Sequence, residues 1–173
     1  MSTTTTRSTD VIDAILGVKE GDAISTLRRQ KPELAEQLQA YYLAIFDPVP
    51  ESAAAFPLLD RHLVAIRVAA HTGSQAVIAW HAKRARENGA ADEVIARAQD
   101  VGAPWTDETP LGAAIRHAGL VTKTPAHAEQ ADLVALAAAG YSPAGILSLA
   151  QTIAFTAYQL RLIAGLRAFG AAS

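Results

Sequence analysis

Apolar residues recur every three or four positions along most of this chain, the spacing of helices with one buried face. Leu34, Leu38, Tyr41, Tyr42 and Ile45 form one such set, and Leu59, Leu63, Ile66 and Ala70 form another. Helix punctuation falls between the sets. A first helix runs from about Asp10 to Leu16, capped by Thr9 or Asp10 and ended by Gly17; a second covers about Asp22 to Gln30. A third starts at Pro32 and stops at Asp47–Pro50, whose two prolines cannot lie in a helix interior. Helices over Leu58–His71 and Gln75–Asn88 flank a tight turn at Thr72 and Gly73, with Ser74 as N-cap, and pair as a hairpin over about residues 58–88. Further helices are expected over Asp92–Asp100, from Thr106 to about Val121, over Pro125–Ala139, and from Pro143, capped by Ser142, to about Phe169. No apolar/polar alternation is sustained, so the fold class is all-α.

Residues 1–8 are rich in hydroxyls and lack an apolar run, as expected of a disordered tail and not of a secretory signal. Residues 9–173 suit one domain. The most apolar stretch, Ile146–Leu166, is interrupted by Gln151, Gln159 and Arg161, which favours a buried helix over a membrane span. Half of the residues are hydrophobic and the formal net charge is -2, so neither nucleic acid nor membrane is an expected partner. There is no cysteine. That removes disulfides, thiolate metal sites and a cysteine nucleophile together, and with the signal-free start it points to the cytoplasm.

Candidate chemistry gathers on the hairpin. Ser74, Val77 and His81 stand at i, i+3 and i+7 and share a helix face. His81 is suited to proton transfer, Ser74 sits where a helix N-terminus favours an anion, and His62 is placed to face His81 across the hairpin. The plain alternative is a core histidine with its nitrogens satisfied. His71 points to the opposite side of its helix from His62 and suits the negative helix end, while His117 and His127 read as surface residues. No histidine pair has metal-ligand spacing and no glycine-rich phosphate loop is present, so no metal and no cofactor is assigned. Ser25–Lys31 reads as a solvated basic helix end. Trp80, Trp105, Phe155 and Tyr158 read as core or as the lining of an apolar pocket; Arg161 and Arg167, within an apolar helix, call for a carboxylate partner from protein or ligand.

The segment LDRHLVAIRVAAHTGSQAVIAWH at 59–81, followed by Ala85, Gly89 and an acidic helix start at Asp92, resembles the central hairpin of the alkylhydroperoxidase-D-like and carboxymuconolactone decarboxylase superfamily. The stretch AGYSPAGILSLAQTIAFTAYQLRLIAGL at 139–166 is similar to the last helix of its peroxidase-related branch. The resemblance implies an oligomeric, alkylhydroperoxidase-D-like helical bundle with the hairpin at its centre. In the redox branch a Glu, a Cys-x-x-Cys and a His would fall on His62, on Ser74 and Val77, and on His81. Only the last residue matches. A peroxide-reducing cycle needs one thiolate to attack and a second thiol to resolve, so thiol peroxidase activity does not carry over. The decarboxylase branch carries a Glu four residues before the His, where Val77 stands here.

Two functions follow from the resemblance and the residues. One is a non-thiol enzyme acting on a small organic acid or lactone, in which His81 moves the proton and Ser74, His62 or an arginine orients the substrate. The other is a member without catalysis that serves as a ligand-binding or partner subunit. The resemblance implies a homo-oligomer in either case, and the alanine content and the apolar last helix agree with it.

Overall fold

The computed structural model describes residues 10–171. Ten α-helices account for most of them: α1 Val11–Leu16, α2 Ala23–Arg28, α3 Pro32–Phe46, α4 Pro50–Ala55, α5 Leu58–Thr72, α6 Gln75–Glu87, α7 Asp92–Gln99, α8 Pro110–Lys123, α9 Gln130–Ala138 and α10 Pro143–Ala171. No strand occurs among the described residues. The all-α bundle with a central hairpin is thus the observed fold. The expected tail at 1–8 lies outside the described residues.

Local chemistry explains most helix ends. The Asp10 carboxylate accepts from the backbone N–H of Ile12 and Asp13 and also binds Arg28, which ties α1 to α2. Arg28 bonds Asp13 as well, so the basic run at 25–31 is partly paired within the fold instead of being only solvated. Gly73 ends α5 in the left-handed region at φ 71°, and its N–H and that of Ser74 return to the carbonyls of Ala70 and Ala69. Three boundaries differ from the sequence reading. Pro50 stops α3 but also opens α4, because proline costs little in a first turn. The helix expected from Thr106 begins at Pro110, where Thr109 Oγ1 accepts from Gly112 N–H. Pro125 opens only a short 3₁₀ turn, Pro125–His127, before α9.

Helix α5 is the hub; α6, α7, α8 and α10 all pack on it. Periodicity predicts one buried face, yet Arg61–Ala69 is buried all round. The polar members of that run are accommodated individually. Arg61 donates from Nε to the Phe56 carbonyl, from Nη1 to Ile45 O (both 2.9 Å), and from Nη2 to Ser52 O and Oγ. One guanidinium therefore serves the carbonyls of Ile45, near the end of α3, and Phe56, just past α4, and joins the Phe56 N–H on Ser52 O. Arg67 reaches the Asp100 carbonyl at the end of α7. The sequence reading of α10 as a buried helix is corrected: its most apolar window is only 50% buried. Leu147 and Tyr158 are exposed on it at 59% and 52%, although α10 packs on α5 and also touches α4, α2 and α8. By length and composition α10 is the single described helix that meets the measure for a membrane span.

Candidate functional site

The hairpin delivers His62 and His81 to one point. His62 lies in the first half of α5 and His81 in the middle of α6, and the antiparallel pairing brings their Nδ1 atoms to 3.0 Å. Both side chains are sealed: His81 is 0% and His62 2% exposed. Phe46, the last residue of α3, covers them. Its ring stacks on His62 at 5.0 Å between centroids and tilts against His81 at 4.7 Å.

Burial fixes the protonation state. Desolvation, helped by the positive charges of Arg84 and Arg61, lowers the His62 pKa to about 4. Desolvation, then His62 and Arg84, holds His81 well below the ordinary imidazole range. Both rings are therefore neutral near pH 7. An Nδ1···Nδ1 hydrogen bond between two neutral imidazoles needs complementary tautomers, one carrying its proton on Nδ1 and the other on Nε2. Nε2 of His81 is buried and finds no partner among the described residues.

Ser74 is not part of this pair. It occupies the N-cap position of α6, but its hydroxyl caps no N–H, so the expected side-chain cap is absent. Seven residues separate it from His81, about 10 Å along the helix axis at 1.5 Å per residue. Ser74 instead lines a cavity of about 720 Å³ between the α5–α6 turn, α8 and α10, which neither histidine lines. Val77, between them on the same face, is fully buried.

Several sequence expectations change here. Trp80, Trp105, Phe155 and Tyr158 line neither this cavity nor the smaller one between α8 and α9. Phe155 and Trp105 are core residues, Trp80 Nε1–H donates to the Tyr42 hydroxyl at 3.0 Å, and Tyr158 is exposed. His117, expected at the surface, is half-buried, lines both cavities and leaves Nδ1 without a partner. His127 is exposed, as expected. His71 turns towards α8, where a Cβ added to Gly119 would lie 3.3 Å from its Nε2. Arg161 and Arg167 are exposed, not partly buried; both line the large cavity, and neither has a carboxylate partner among the described residues. Sequence reasoning missed Phe46 as the cover of the histidines, which only tertiary packing brings to the pair.

No curated protein and no solved structure matches the chain. The sequence model of the carboxymuconolactone decarboxylase family matches residues 32–126, more than half of the chain, from the start of α3 to just past α8. That segment contains the hairpin, the two histidines and Phe46. By this match and by the helical bundle built on that hairpin, the chain belongs to the carboxymuconolactone decarboxylase family.

Proposed function

We propose that this chain is a non-thiol member of its family that works by binding a small organic ligand and not by turning one over. The sealed His62–His81 pair carries this reading. A general acid or base is most effective with a pKa near the working pH and must reach the proton it moves. These imidazoles are held neutral by burial, are spent on each other at 3.0 Å and are closed over by Phe46. That is the chemistry of a staple between α5 and α6. The redox positions of the resemblance are a serine and a valine, neither of which attacks a peroxide as a thiolate does. The cavity of about 720 Å³ beside Ser74 supplies room for a ligand.

A second reading has its own observation. Because Nε2 of His81 is unpartnered, it is the atom from which a proton relay through His62 would start. This is the non-thiol enzyme acting on a small organic acid or lactone. We also propose that the chain is cytoplasmic and assembles as a homo-oligomer; the exposed Leu147 and Tyr158 on α10 support assembly, since such side chains gain from cover.

Carboxylic acids, lactones and organic hydroperoxides are screened for thermal stabilisation and for turnover, with the parent and with His62→Gln/His81→Gln. A ligand bound to the folded state raises the midpoint by mass action. The binding reading expects stabilisation of both proteins and no turnover. Turnover by the parent that is lost in the double variant refutes it and establishes the relay.

A further inference from the structure

We infer that the cavity between the α5–α6 turn, α8 and α10 is a binding site for an amphiphilic carboxylate, an acyl chain carrying a single anionic head. This deepens the binding reading and rests on it. The floor runs along α10 from Ala150 to Leu160, ten steps of about 1.5 Å or about 15 Å of helix. Its side chains there are alanine, isoleucine and leucine, and Val68 and Val121 close the opposite side. That is a narrow aliphatic trough, suited to methylenes and poor for a small polar acid.

Beyond the trough the lining changes character. Arg161 and Arg167 follow on the same helix with Ile163 and Ala164 between them, and no acidic residue lines the cavity. Arg161 Nη1 donates only to the Ala157 carbonyl of its own helix, at 2.9 Å. Two guanidiniums without a carboxylate at the end of an apolar trough are complementary to a carboxylate that brings its own tail. Two further lining groups lack partners: His117 Nδ1 and Thr122 Oγ1 are buried and unbonded, although a buried polar atom ordinarily finds one. Both atoms are closed to solvent, so a ligand oxygen reaches them only when their side chains turn towards the cavity.

The test is calorimetric titration of decanoate, kept below micelle formation, into the full chain, beside decanol and hexanoate. One decanoate per chain is expected. Decanol and the Arg161→Gln/Arg167→Gln variant should each weaken binding at least about tenfold, the scale of a lost charge-assisted hydrogen bond. Each methylene removed towards hexanoate should cost about fourfold. Ala157→Trp, which fills the trough from a half-buried position, should abolish binding. Equal binding of decanol and decanoate, or no effect of the arginine variant, overturns the anionic head while leaving the binding reading standing. Undiminished binding in Ala157→Trp places the ligand elsewhere and overturns the site. If the parent binds neither compound, and Ala157→Trp converts an oligomer to a monomer in size-exclusion light scattering, the trough is a contact between copies and the inference fails.

Discussion

Acidification should unfold this protein through its two central histidines. In an unfolded chain imidazole titrates near 6.5, whereas His62 in the fold has a pKa of about 4. The unfolded state therefore binds more protons between those values, and stability falls as pH drops through that window. Going from pH 7 to pH 5, the two pKa values give a loss of about 2 kcal/mol for His62 alone. His81 adds to the loss in the same direction, since its pKa is lowered too. Asp60 works against them. Burial raises its carboxyl to about 6 from the usual 3.8, so protonation favours the fold as pH falls through 6 towards 3.8, and about 1 kcal/mol of this is gained between pH 7 and pH 5. The contribution of the pair is isolated by difference. Urea unfolding followed by circular dichroism at pH 7, 6 and 5 is compared for the parent and His62→Gln/His81→Gln, which keeps a buried hydrogen-bonding pair without a titrating group. The parent should lose at least about 2 kcal/mol more than the variant by pH 5. Parallel slopes in the two proteins would refute the claim that the pair is buried and neutral.

Three further substitutions probe how the helices are held. Arg61→Leu removes four hydrogen bonds and takes the side-chain donor from the Ile45 and Phe56 carbonyls; a loss of about 3–5 kcal/mol is expected in the same unfolding assay, and less than about 1 kcal/mol would mean water serves those carbonyls as well. Gly145→Ala places a Cβ 2.5 Å from the Ala55 carbonyl, so α10 must shift from α4 at a cost of at least about 2 kcal/mol. Gly73→Ala meets no atom within 4 Å and should lose only about 1 kcal/mol, the cost of the left-handed backbone at φ 71°.

The hairpin was legible because its signals are local. Gly73 and Gly89 mark ends, and His62 and His81 fall on the two helices that the Gly73 turn folds together. Helix α4 was hidden because Pro50 reads first as a stop to α3. The all-round burial of α5 was hidden for another reason: Arg61 and Arg67 look solvent-facing until their partners, Ile45, Phe56 and Asp100, are known. The cavity is harder still to read. Its walls come from residues 68–74, 117–125 and 150–167, and no local pattern ties these segments together. Ser74 was correctly placed at a helix start, but only the fold separates it from His81 and gives it to the cavity.

The central claim is that His62 and His81 form a closed neutral staple, and imidazole nitrogen NMR against pH tests it directly. The account predicts one shared proton between the two Nδ1 atoms, complementary tautomers in the two rings, and no protonation of either ring between pH 8 and pH 6. A His81 that titrates near pH 7 would contradict it and return the pair to proton transfer.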